Sequence, residues 1–234
     1  MTPHRPSLLL VAHGTRDPAG AAVIEGIAAR VSWALPGVSV AAAYVDVTQP
    51  TPAQVLVGLP GPVVVVPLFL AAGYHVRTDL PAQLCRTGRA DLLLGETLGP
   101  DPALIAAAAQ RLEAAGARES DAVVLAVAGS SDSCAQADGV RAARRLGRRL
   151  GRPVTLATIA SGGPRIADVV NGLHEAGASR VAAASWLLAP GLFQRRLAAS
   201  GAEVIAAPLA DHVAVLDVVG NRYRAALVQA AYSA

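Results

Sequence analysis

VVVVPLFLAAGYHVRTDLP, Val63 to Pro81, decides how this chain is read. Val63 to Leu68 is apolar almost throughout, as a strand buried on both faces must be. Phe69 and Leu70 lead to Gly73, then to His75, and Asp79 to Pro81 open a helix. The histidine therefore stands beyond the carboxyl end of a strand, where ligands sit in open parallel sheets. LLLVAHGTRDP, Leu8 to Pro18, repeats that arrangement with His13 and Gly14. Here Asp17 and Pro18 form a helix start, Asp as the N-cap and Pro at the first helical position. Two imidazoles presented from two strand ends can meet over one crevice.

Outward from these stretches, strands alternate with helices. Strands are expected at Ser7 to Ala12, Val38 to Val45, Val63 to Leu68 and Leu92 to Leu94. Helices are expected at Pro18 to Leu35, Thr51 to Leu59, Leu80 to Thr87 and Pro102 to Ala115. Apolar strands between helices indicate a parallel sheet covered on both sides.

After Gly116 the plan begins again. Asp121 to Ala128 repeats the first strand, GSSDS (Gly129 to Ser133) stands where GTRDP stood, and a helix follows over Arg141 to Leu150. Val154 to Ile159 and Val181 to Leu188 match the second and third strands, with a helix over Pro164 to Ala176 between them. LLAPGLFQRRLA (Leu187 to Ala198) aligns with FLAAGYHVRTDL (Phe69 to Leu80), and Val204 to Ala206 with a helix over His212 to Ala231 closes the copy. The expected fold is thus α/β, with two similar doubly wound parallel-sheet domains from an internal duplication, residues 1–116 and 117–234, facing a central cleft. Gly14 aligns with Gly129, Asp17 with Asp132 and Gly73 with Gly191, whereas His13 falls opposite Ala128 and His75 opposite Phe193. The first half carries the reactive groups and the second supplies a wall.

Composition limits the alternatives. The 234 residues are 53% hydrophobic but only 3% aromatic, so the core is built of Ala, Val and Leu. No apolar run approaches the length of a membrane span, and the N-terminal apolar stretch leads into a glycine turn rather than a cleavage site. A cytoplasmic protein without membrane contact is expected. Cys85 and Cys134 have neither disulfide-framework nor thiolate-metal spacing. All 20 basic residues are Arg, against 17 acidic ones, and the guanidinium fork suits an anionic small molecule. The Arg141 to Arg152 cluster lacks interleaved aromatics and reads as the solvated face of a helix, so nucleic acid is not expected. SGGPR, Ser161 to Arg165, lacks the Lys and hydroxyl of a phosphate loop and reads as a turn.

Paired imidazoles serve metal ligation or proton transfer. Asp46, in YVDVTQP at the end of the second strand, reaches the same sheet edge, and two imidazoles with a carboxylate suit Fe, Co, Ni or Zn rather than Mg or Ca. Arg16 and Arg77 flank the two histidines and can clamp carboxylates. His4, His174 and His212 read as surface or capping residues.

VAHGTRDP, PLFLAAGYHVRTDLP and the degenerate GSSD and LLAPGLF resemble the sirohydrochlorin chelatases of the long, two-domain type, similar in fold to the class II chelatases that include ferrochelatase. The resemblance spans Leu8 to about Tyr223. It implies catalysis and metal handling by His13 and His75. In that family the acidic residue after the second strand is often Glu, and here the shorter Asp46 stands as the third metal-binding residue. Substrate contacts are expected at Gly14, Arg16, Gly73, Arg77, Ser130 and Phe193. The resemblance further implies insertion of a divalent metal into sirohydrochlorin, with ferrous iron giving sirohaem favoured and cobalt, towards cobalamin, as the alternative. The metal is then a substrate, Fe2+ or Co2+, and no cofactor is permanently bound. The tetrapyrrole is the expected partner, and the chain a monomer or weak homodimer. Competing readings are a non-catalytic tetrapyrrole or metal carrier on the same fold and a hydrolase with a metal-bound water, which two histidines and one carboxylate support poorly.

Overall fold

A computed structural model describes residues 5–233; His4 lies outside them. The first sheet contains β1 (Ser7–Ala12), β2 (Val40–Tyr44), β3 (Val63–Pro67) and β4 (Leu92–Leu94), in the order β2-β1-β3-β4 and parallel throughout. The second contains β5 (Ala122–Gly129), β6 (Val154–Ser161), β7 (Val181–Trp186) and β8 (Val204–Ile205), in the corresponding order β6-β5-β7-β8. The duplicated plan read from sequence is therefore a duplicated topology.

The central strands β1 and β3 are buried at every position. Leu9, Val11, Val63 and Val65 pack with Ala43, Val45, Leu56, Leu80 and Leu84 into one core, while Leu8, Leu10, Val64 and Val66 are buried by the opposite pleat. Each such Leu contributes about 1.5–3 kcal/mol on burial. Small residues do the same work in the second sheet, where Val124, Ala126, Ala157, Ala183 and Val181 pack with Ile166, Val170 and Leu197.

Eight helices connect the described strands: α1 (Pro18–Ala34), α2 (Pro52–Leu56), α3 (Leu80–Cys85), α4 (Pro102–Ala114), α5 (Ser133–Leu150), α6 (Ile166–Glu175), α7 (Leu192–Ala198) and α8 (Val213–Ser233). Among the described residues no helix is long and apolar enough to cross a membrane. α5 starts eight residues earlier than its Arg-rich segment suggests. Asp132 caps it, accepting from the backbone N–H of Cys134 at 2.8 Å, and Ala135, Asp138 and Gly139 are buried along the polar-looking first turns. Arg141, Arg144, Arg148 and Arg149 occupy its exposed side, as their spacing predicts.

Packing divides the chain differently from the repeat. One compact unit comprises Met1–Leu98 with Val215–Ala234, and the other Gly99–Ala214. The repeat boundary at 116/117 therefore does not mark the units: α4, written in the first half, packs on α5 and β7, while most of α8 belongs with the first sheet. Arg222 on α8 donates to the carbonyl of Thr97 at 2.8 Å, and the Tyr223 hydroxyl donates to that of Pro6 at 2.6 Å. The apolar stripe Val215, Val218, Val219 and Tyr223 is buried there.

Both copies start their first helix with the same device. Thr15 Oγ1 accepts from Asp17 N–H at 3.0 Å and the Asp17 carboxylate accepts from Ala19 N–H at 3.1 Å. In the second copy Ser130 Oγ accepts from Asp132 N–H at 3.1 Å. Asp17→Ala and Asp132→Ala should each lower stability by about 1 kcal/mol in denaturant melts, the usual value of a lost cap. No loss in either variant would contradict these capping bonds.

Candidate metal centre

In the order β2-β1-β3 the chain leaves β1 toward one neighbour and later returns on the other side, so the carboxyl ends of these three strands border one switch point. His13 follows β1 directly, Asp46 lies two residues beyond β2, and His75 lies beyond β3. Ladder hydrogen bonding continues past the strand ends: Val45 N–H donates to Ala12 C=O and Asp46 N–H donates to His13 C=O, both at 3.0 Å. This places the Asp46 carbonyl against Gly14. A Cβ on Gly14 would lie 2.0 Å from that oxygen, and φ there is +103°, so only glycine permits the approach.

His75 is carried by a single π-helical turn, His75–Asp79, whose first carbonyl accepts from Leu80 N–H. Pro81 supplies the reason. An α-helical register would ask residue 81 to donate to the carbonyl of Arg77, and proline has no N–H and clashes there. The wider turn also keeps Arg77 exposed.

The result is a cluster. The ligand atoms of His13, Asp46 and His75 all lie within 4.8 Å of one another. The two imidazoles are 4.4 Å apart between ring centres and inclined at 61°, with Phe69 6.5 Å from His13 and Tyr74 edge-on to His75 at 5.8 Å. One Asp46 oxygen accepts from Val47 N–H at 2.7 Å. Val47 itself has φ +66°, unusual for a β-branched residue. His13 is exposed at the surface, yet partial desolvation lowers its pKa and repulsion from His75 lowers it further; Asp46 works against both. The ring therefore stays neutral, with a lone pair to offer, to a pH below the usual histidine range.

The remaining predicted site residues fall into two groups. Arg16 is exposed beside His13, and Gly73 opens the lip before His75, its carbonyl accepting from Val76 and Arg77 N–H at 3.0 Å. Ser130 and Phe193 belong to the second unit. The Ser130 hydroxyl lies in the turn before α5, and Phe193, on α7, is 36% exposed. There the lip geometry persists without the ligands. Gly129, at φ +97°, faces the Ser161 carbonyl at 2.1 Å from a would-be Cβ, while Ala128, Ser161 and Phe193 stand where the first copy has His13, Asp46 and His75. His174 and His212 are structural as expected. His174 Nδ1 pairs with the Ala178 carbonyl at 2.8 Å, and His212 Nδ1 accepts from Ala214 N–H at 3.2 Å at the start of α8. Sequence reasoning missed Val47 and Gln83. Gln83 donates from α3 to the Val45 carbonyl at 2.9 Å and to Asp79 Oδ1 at 3.1 Å, and nothing in PAQLC marks it.

Known proteins share this arrangement of elements. A family model described as CbiX matches residues 7–115 and 122–226, one stretch in each half of the chain. A sirohydrochlorin cobaltochelatase from Methanococcoides burtonii is 32% identical over 78 residues, covering 32% of this chain and 60% of that relative. Among solved structures, SirB from Bacillus subtilis with Fe3+ superposes with a TM-score of 0.77 at 23% identity, over 95% of both chains. CbiX described as the terminal enzyme for biosynthesis of siroheme in denitrifying bacteria superposes at 0.69 and 23% identity, over 94% of this chain and 98% of that one. At such identity the superpositions establish the fold.

Two outcomes follow from the geometry. Gly14→Ala should cost about 2 kcal/mol or more in denaturant melts, whereas Gly26→Ala, which meets open space on α1, should be neutral or stabilising. In the metal-free protein, the His13 pKa read by NMR should rise in His75→Ala and fall in Asp46→Asn. The sign for stability follows. A folded-state pKa below the unfolded value near 6.5 gives a contribution present above that pH and lost as pH falls through it toward the folded value. An unchanged His13 titration in both variants would contradict the electrostatic coupling.

Proposed function

The chain belongs to the CbiX family, and from that premise we propose that it is a lyase-type chelatase inserting a divalent metal into sirohydrochlorin. The observation that carries the reading is the His13, Asp46 and His75 cluster, with ligand atoms within 4.8 Å of one another. Insertion breaks two pyrrole N–H bonds, places the metal on the ring nitrogens and releases two protons, so the site must both present a metal and take up protons.

His13 and His75 do both. Their crowding disfavours the imidazolium pair, which leaves lone pairs for the metal as it arrives. Once the metal moves to the macrocycle, the vacated imidazole nitrogens accept the pyrrole protons and pass them to solvent, the general-base role for which imidazole is the commonest side chain. Asp46 supplies a negative charge to the cation, and Val47 N–H keeps one of its oxygens directed. Two imidazoles and a carboxylate form a small set of borderline ligands, adequate to deliver an ion without retaining it. Exposed Arg16 and Arg77 pair with carboxylates on the rim of the macrocycle. Exposed Tyr74 offers an apolar face beside His75.

Ferrous iron is the metal favoured from the sequence. Cobalt is the second reading, favoured by the cobaltochelatase name of the relative from Methanococcoides burtonii. The donor set accepts either ion.

Anaerobic absorption spectroscopy of sirohydrochlorin with the purified chain tests the proposal, with Fe2+ and Co2+ followed separately against the uncatalysed rates. Acceleration is expected, and the ratio of the two rates identifies the preferred metal. His13→Ala and His75→Ala should each reduce the accelerated rate by about 100-fold or more without loss of helical circular dichroism. Turnover at the wild-type rate in both variants would remove these histidines from the mechanism, and tight macrocycle binding without acceleration would make the protein a carrier.

A further inference from the structure

The three ligand-bearing lips are joined unequally. The first and second are tied by backbone, through Asp46 N–H donating to His13 C=O at 3.0 Å. Between the second and third, the Gln83 side chain forms a bridge. Its Nε2 donates to the Val45 carbonyl, next to Asp46, at 2.9 Å and to Asp79 Oδ1, in the π turn that carries His75, at 3.1 Å. Both hydrogens of one amide are thus used, one on each lip, by a half-buried side chain.

The second lip needs such a tie. Asp46 is followed by Val47 at φ +66°, a conformation that a β-branched residue adopts only when its surroundings impose it. The same segment carries the Val47 N–H that orients Asp46 Oδ1 at 2.7 Å, so a shift of this lip moves the carboxylate with it. The second copy serves as an internal comparison. Val47 corresponds to Gly162, which holds φ +83° without strain. The glutamine of α7 in that copy, Gln194, instead accepts from the Ser185 hydroxyl at 2.7 Å and donates to the Ala206 carbonyl at 3.0 Å. The strained residue, the bridge and the three ligands occur together in one copy and are all replaced in the other.

We infer that Gln83 is a positioning residue that sets Asp46 relative to His75 for metal capture. This rests on the metal-handling role proposed above. It acts through the Val45 carbonyl and Asp79, without touching the metal or the macrocycle.

The test uses the full chain and Co2+ alone, titrated by visible absorbance, together with the insertion assay. Gln83→Met, similar in length but without a donor, should weaken Co2+ binding about 10-fold, within the range for residues that orient metal ligands. It should also change the intensity of the cobalt bands and raise the KM for metal while leaving that for sirohydrochlorin unchanged. Adding Val47→Gly, which removes the strain that the bridge opposes, should recover part of the affinity; the unchanged KM for sirohydrochlorin separates this from a merely destabilised fold, which would weaken both substrates. Wild-type Co2+ affinity and metal KM in folded Q83M would overturn the inference and leave the chelatase reading intact. Gln83-dependent Co2+ binding without accelerated insertion would do the reverse, and a wild-type chain that binds no Co2+ would overturn both. If Q83M does not fold, Gln83→Lys, which keeps a donor, decides: it must bind Co2+ close to the wild-type affinity, and a folded Q83K with a 10-fold loss overturns the inference.

Discussion

The close approach of the Asp46 carbonyl to Gly14 is the constraint on which the first unit's site depends. Parallel pairing of β1 and β2 runs past both strands, to the bond from Asp46 N–H to His13 C=O at 3.0 Å. A side chain at position 14 would meet the Asp46 carbonyl at 2.0 Å, and the two lips would separate. With glycine there, backbone geometry brings a histidine and an aspartate side by side. The second unit keeps this frame through Gly129 and Ser161, so the frame belongs to the fold, and the chemistry belongs to the side chains placed on it.

The neighbours of His13 disfavour its protonation. Two imidazoles 4.4 Å apart cannot both carry a proton without repulsion, and partial desolvation of His13 adds to the cost. A carboxylate nearby partly offsets this, and a divalent cation satisfies all three groups at once. Under the chelatase proposal, that is the cluster's metal-presenting role. Under the same proposal it takes up the pyrrole protons when the metal leaves, the second competence that metal insertion requires.

Much of this was legible in the chain. Ser7–Ala12 is a strand with the bounds its apolar run suggests, because a strand buried on both faces has little freedom to be anything else; Leu92–Leu94 also keeps the bounds of its run, though it is only partly buried at the sheet edge. His13, Asp46 and His75 could be assigned to one sheet edge because each follows a strand of a parallel sheet. The π turn at His75 was less accessible: Pro81 forbids one α-helical bond, yet the chain could have kinked or ended its helix there instead. The early start of α5 was masked by Ser, Gln, Asp and Gly, whose weak helix preference is overridden by the Asp132 cap and by burial of Ala135, Asp138 and Gly139. Gln83 carried no signal, since a glutamine in a short helix acquires meaning only from what lies across from it.

By itself the sequence determined the repeated βα plan, the strand ends that carry His13, Asp46 and His75 and the absence of those side chains from the second copy, since these follow from local pattern and chain order. Tertiary structure decided which helices complete which unit, how near the ligands come, and what holds Asp46 in place. α4 packs outside the half in which it is written, and most of α8 returns to the first sheet, because a helix buries its apolar stripe on whichever surface fits it, irrespective of its position in a repeat. The Gln83 bridge spans 38 residues of sequence, and hydrogen bonds at that separation exist only once the sheet has brought its ends together.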